Sequence, residues 1–214
     1  MLKQNFTIFR EYWFLNLFAS IMLGLQYFQF VASASFGEYV FLFVALVSNT
    51  FCIYLIFFVF CSPLLPIKNR HLFSIFIFVV FTFVQLLILS DIAVFKIFKT
   101  HISNIILDLL ITPRSWENMH LNFNIKIAVA VLVFASFLAE WLVLKRVIKR
   151  REKDGSCCKF AKYVFAIFFI FLIADKLTYA YAIFFNKTNI TRHTKLFPLY
   201  QPFLVKDLDF NLKN

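Results

Sequence analysis

Four ionisable residues, Asp91, Glu140, Asp175 and Lys176, fall inside long apolar runs of this 214-residue chain. A charge at the centre of a bilayer costs roughly 3 kcal/mol on insertion scales, so each is a candidate for work as a proton carrier or a head-group contact. The plain structural alternative is an ion pair that fixes helix register. Glu140 sits about one turn from the end of its run, close enough to snorkel to the surface. Neighbours along a helix point about 100° apart, so Lys176 is expected to reach Asp91 rather than Asp175.

Nothing in the sequence arranges a nucleophilic Ser or Thr with an Asp/His cluster. The four histidines, His71, His101, His120 and His193, are scattered, whereas a catalytic metal needs about three converging protein ligands. No catalytic residue, metal site or cofactor is therefore expected, and the chain reads as non-enzymatic. Cys52 and Cys61 read as small hydrophobes within an apolar run. Cys157-Cys158 lacks C-x-x-C spacing and reads as free thiols or acylation sites.

Two basic clusters offer binding chemistry. In "KRVIKRREKDGSCCKFAK", Lys145, Arg146, Lys149, Arg150 and Arg151 would draw anionic head groups at about 1 kcal/mol per basic residue near the surface. The same cluster is also a plain topology signal. In "NKTNITRHTKLFPLYQPFLVKDL", Lys187, Arg192, His193, Lys195 and Lys206 would give a phosphate-rich lipid charge-assisted donors. No nucleic-acid partner is implied.

The elements that must carry these residues follow from composition. The chain is 62% hydrophobic and 15% charged, with 33 Phe and only 3 Gly, too apolar for so short a chain to hide in one core. Runs of about 20 apolar residues are needed to cross a bilayer, and five occur, at about 12–33, 39–65, 72–95, 125–144 and 163–185. The expected fold is an all-α integral membrane protein, with a five-helix transmembrane domain over 1–185 and a periplasmic tail or linker over 186–214. The density of basic residues after the fourth run places the N-terminus inside and the C-terminus outside. "HISNIILDLLIT" places Ile102, Ile105, Ile106, Leu109 and Leu110 on one face. That pattern predicts a short amphipathic interfacial helix over about 101–112, stopped by Pro113 and anchored by Trp116. Small residues Ala128, Ala130, Ala135, Ser136 and Ala139 make the fourth span the expected packing centre. An odd number of spans and the lack of internal repeats argue against a transporter.

Two stretches resemble the N-terminal five-span domain of the YejM/PbgA family of inner-membrane sulfatase-like proteins. "DIAVFKIFKTHISNIILDLLITP" matches the family's Asp-x-x-Val-Phe-x-x-Phe-x-x-His pattern through Asp91, Val94, Phe95, Phe98 and His101, with Pro113 following. "YAYAIFFNKTNITRHTKLFPLYQP" matches a second segment through Tyr179, Ala182, Ile190, Thr191, Pro198, Leu199 and Pro202. The family tends to carry His where Lys176 stands and Asp where Ile183 stands. Its adjacent arginine pair corresponds to Lys206-Asp207, so only Lys206 carries over. The family's periplasmic sulfatase-like domain begins beyond the segment where this sequence ends. The resemblance implies a bacterial inner-membrane protein, C-terminus periplasmic, that binds lipopolysaccharide or cardiolipin. Its setting would be envelope lipid homeostasis, where the family restrains LapB-linked proteolysis of LpxC. A LapB-like membrane protein and a separate sulfatase-like subunit are the implied partners. The alternative is a membrane anchor for a sulfatase/alkaline-phosphatase-fold hydrolase or head-group transferase.

Overall fold

The computed structural model describes residues 2–31, 34–102, 123–153, 160–185, 187 and 196–198. They form five long helices, α1 (Leu2–Gly24), α2 (Phe36–Cys61), α3 (Arg70–Phe98), α4 (Phe123–Lys153) and α5 (Phe160–Phe184). Short 3-10 turns at Leu25–Phe30 and Ser62–Leu64 follow α1 and α2. Helices satisfy their own backbone, which is what an apolar surrounding requires. By length and composition, three segments among the described residues can cross a membrane: Phe36–Leu64, Arg70–Phe98 and Tyr163–Phe184, of mean hydropathy 2.3, 2.8 and 1.8. The other two expected spans lie on α1, which starts ten residues before Tyr12, and on α4.

Local chemistry sets the helix ends. Ser35 and Glu38 form a reciprocal capping box at the start of α2, with Glu38 N–H donating to Ser35 Oγ (3.4 Å) and Ser35 N–H to Glu38 Oε2 (3.2 Å). Pro63 begins the turn that ends α2. Asn69 caps α3, its side chain accepting from His71 N–H (3.0 Å) and Leu72 N–H (3.3 Å). Lys99 closes α3 in the left-handed conformation at φ 57°, its N–H donating to Phe95 O at 2.9 Å.

The chain forms two compact units, Met1–Gln26 with Ile53–Cys158, and Tyr27–Cys52 with Lys159–Asn214, so α2 contributes to both. In the first, aromatic rings fill the space between α1, α2 and α3. Trp13 meets Phe58 and Tyr54 edge-on at 5.7 and 6.0 Å, and Tyr12 meets Phe81 edge-on at 5.2 Å. Trp13 Nε1 also donates to the Tyr54 carbonyl at 2.8 Å. Asn5 Nδ2 ties α1 to the chain reversal after α2 by donating to the Leu65 and Ile67 carbonyls at 3.1 and 3.0 Å. The first half of α4 does not form the expected packing centre. Ala130, Ala135 and Ala139 are exposed, while Glu140, Leu144 and Val147 are buried. Larger side chains and a buried carboxylate, not the alanines, make the seam of this helix.

In the second unit, Phe51 stacks on Phe168 at 5.2 Å and Phe43 meets Phe171 edge-on at 6.2 Å. Within the range read as a tail, Leu196 and Phe197 are buried. Tyr27 packs edge-on to Phe197 at 6.1 Å, and Asn49 Nδ2 donates to the Pro198 carbonyl at 2.8 Å. Of the expected interfacial helix, His101 and Ile102 are non-helical, and 103–112, Pro113 and Trp116 lie outside the described residues.

Trp13→Phe keeps a ring in place and removes the Nε1 hydrogen bond to the Tyr54 carbonyl of α2. It should lower stability by about 1 kcal/mol, and Trp13→Ala by about 3–5 kcal/mol. Unfolding titrations in detergent micelles check the order of the two variants. Equal losses would show that the indole N–H, and not the ring, carries the contact.

Candidate functional site

Tyr12, Asn16 and Ser20 recur every four residues and so share one face of α1. All three are buried. Tyr12 Oη donates to Glu140 of α4, and Asn16 Nδ2 donates to the same oxygen, Oε2, at 3.2 Å. From α3, Gln85 Nε2 donates to Asn16 O at 3.0 Å, Asn16 Oδ1 at 3.1 Å and Tyr54 Oη at 3.2 Å. Ser20 and Tyr54 hydroxyls lie 2.7 Å apart. Four helices of the first unit thus converge on one chain of hydrogen bonds. Glu140 is 7% exposed, which corrects the expectation that it snorkels outward. Two internal donors meet its carboxylate, so it does not need the surface.

Beside this network lies a cleft of about 340 Å³ between α1 and α4. Leu15, Ala19, Val143 and Val147 give it apolar walls, Asn16 and Glu140 a polar buried end, and Glu11, Arg146 and Arg150 a charged exposed end. Glu11 accepts from Arg151 Nε, and Arg150 Nη1 lies 3.5 Å from its other oxygen. Lys145 Nζ sits 4.8 Å over the Trp141 ring. Lys145, Arg146, Lys149 and Arg150 are all exposed.

Asp91 is buried near the end of α3. Its Oδ2 lies 2.7 Å from His101 Nδ1, and its Oδ1 accepts from Ile102 N–H at 2.8 Å. The His101 ring stacks on Phe95 at 4.7 Å. In the second unit, Asp175 is fully buried, accepts from Ser48 Oγ at 2.9 Å, and lies 3.1 Å from Lys176 Nζ. Asp91 is thus met by His101, and Lys176 by its neighbour Asp175, which corrects the expectation that these adjacent residues do not meet. The four-carbon lysine stem folds back far enough to overcome the ~100° between adjacent positions.

Of the family-motif residues, Tyr179 is partly buried on α5 and Pro198 accepts through its carbonyl. Arg192, Lys195, Pro202 and Lys206 lie outside the described residues. Among the described residues no three His, Cys, Asp or Glu side chains are grouped to hold a metal. Charge alone did not lead to Tyr12, Asn16, Ser20, Tyr54 and Gln85; polar residues repeating every fourth position in an apolar run are the signal that finds the first three.

Apolar side chains outside and polar groups turned inward, on several long apolar helices, are compatible with a multi-pass membrane protein. The chain belongs to the family described as "Domain of unknown function (DUF3413)", whose model matches residues 1–209. No curated protein matches it.

Lys176→Met leaves Asp175 fully buried without the ammonium beside it. It should destabilise the protein by about 3 kcal/mol, and adding Asp175→Asn should restore most of that. Thermal denaturation of both variants in detergent tests the pair. A single variant as stable as the wild type would remove it from the structural account.

Proposed function

We propose that the chain is a non-enzymatic, multi-pass domain of a bacterial inner membrane that binds anionic lipid and regulates envelope lipid homeostasis. Its N-terminus is cytoplasmic, its C-terminus periplasmic, and five helices cross the bilayer. The observation that carries this reading is the exposed basic end of α4. There Lys145, Arg146, Lys149 and Arg150 stand at the foot of an apolar helix beside a cleft with apolar walls. Lipid phosphates at a membrane surface meet that arrangement of charge and grease. Resemblance to the YejM/PbgA family supports the setting, and supports lipopolysaccharide and cardiolipin as the lipids. The exposed small residues of α4 support contact with membrane partners, of which a LapB-like protein is the first candidate.

Native mass spectrometry of protein purified from its own membrane in mild detergent should show retained cardiolipin. Lys145→Gln with Lys149→Gln should lower it about thirty-fold, from about 1 kcal/mol per basic residue. Arg192→Ala, Lys195→Ala and Lys206→Ala together should remove retained lipopolysaccharide. Bare wild-type protein, or variants that keep their lipid, would count against the proposal.

A further inference from the structure

The cleft between α1 and α4 has two groups with unused capacity. Glu140 Oε2 takes both donors of the network, from Tyr12 and Asn16, while Oε1 makes no hydrogen bond with the described residues and is not among their buried unpartnered atoms. That oxygen is a bare acceptor open to the cleft that Glu140 lines. Arg146, which lines the same cleft, has no hydrogen bond or ion pair with the described residues and is exposed. The other charged groups there are already matched, since Glu11 meets Arg150 and Arg151. One uncommitted acceptor and one uncommitted cation remain, six residues apart on one helix.

Six residues rise about 9 Å along an α-helix, and a helical side chain leans toward the N-terminus. Both side chains lean the same way, so about 9 Å of helix still separates Arg146 at the exposed end of the cleft from Glu140 at its buried end. The space between them takes a phosphate next to Arg146 and an ammonium next to Glu140, joined by a short spacer. Apolar walls at Leu15 and Val143 suit acyl chains entering from the bilayer. A metal ion would find a single free carboxylate oxygen and a repelling arginine. A purely anionic head group would bring its charge against the Glu140 carboxylate. A zwitterion meets both ends.

We propose that this cleft is a binding site for a zwitterionic phospholipid with a primary ammonium head group, the phosphoethanolamine class. Its phosphate is held by Arg146 and its ammonium donates to Glu140 Oε1. The inference rests on the lipid-binding reading and adds a second lipid class in the cleft itself, which shares Arg146 with the basic end of α4 but does not include Lys145 or Lys149. Selectivity comes from hydrogen-bond donation: a trimethylated head group of the same charge has no N–H to offer.

The test is a competition read by native mass spectrometry. Delipidated full-length protein in mild detergent is offered equal amounts of phosphatidylethanolamine, phosphatidylcholine, phosphatidylglycerol and cardiolipin. Wild-type adducts of the ethanolamine lipid should exceed those of the choline lipid about tenfold, the scale of one charge-assisted hydrogen bond. Glu140→Gln keeps an acceptor for Tyr12 and Asn16 but removes the charge, and should erase the preference. Arg146→Gln, at an exposed position without structural bonds, should lower both zwitterionic lipids and keeps the test open if the Glu140 variant does not fold. Cardiolipin adducts should persist in Glu140→Gln. Equal retention of ethanolamine and choline lipids, a preference for phosphatidylglycerol, or a preference unchanged by Glu140→Gln overturns the cleft assignment. If cardiolipin is retained while ethanolamine discrimination is absent, only the cleft falls. If no lipid is retained, the lipid-binding reading falls with it.

Discussion

Glu140 is the constraint around which the first unit is built. A carboxylate in apolar surroundings must either reach water or find donors inside. Here Tyr12 and Asn16 supply them from α1, while Gln85 of α3 donates to both Asn16 and Tyr54 of α2. Each of these groups would be costly to bury alone, so the four helices are worth more together than in pairs. Dispersion among the rings of Phe9, Trp13, Tyr54, Phe58 and Phe81 then fills the remaining space. In lipid that packing has no hydrophobic effect behind it, which is why directional bonds and close ring contacts must set the register.

The same logic explains what could be read from the sequence and what could not. Helix ends use local chemistry, as Ser35 with Glu38, Pro63 and Asn69 show, but the apolar runs alone do not mark them: α1 begins ten residues before Tyr12. The apolar runs themselves were legible, as length and composition are one-dimensional. Seams were not. In a globular protein a stripe every 3.6 residues separates the buried face from the wet one, but around α4 the exposed residues Val131, Phe134 and Leu138 are as apolar as the buried Leu144 and Val147. Only polar residues carry phase information in such a helix. Weighting charged side chains alone left the uncharged Asn16 and Gln85 unread, and with them the direction Glu140 faces. Lysine reach defeated the Asp175–Lys176 geometry in a similar way: the angle between Cα–Cβ bonds constrains a short side chain far more than a long one.

The motif residues that are described act at helix ends. Asp91 holds both the His101 ring and the Ile102 N–H, so it turns the chain as it leaves α3. Pro198 offers its carbonyl to Asn49, securing the residues beyond α5 to their own unit. A motif built this way positions the segments that follow it, and its residues do not have to touch a ligand to matter.

Why a carboxylate stands at position 140 is the sharper question. Tyr12 and Asn16 need one acceptor oxygen, and a glutamine carbonyl would give it without the roughly 3 kcal/mol that an intramembrane charge costs. The hydrogen-bond network alone therefore does not account for the charge. Under the proposed head-group contact a carboxylate would do what an amide does not, and the network leaves one oxygen for it. That oxygen opens onto the one described cleft whose other free group is the cation Arg146. Structural need selects an acceptor at this position. The choice of glutamate over glutamine points to whatever occupies the cleft.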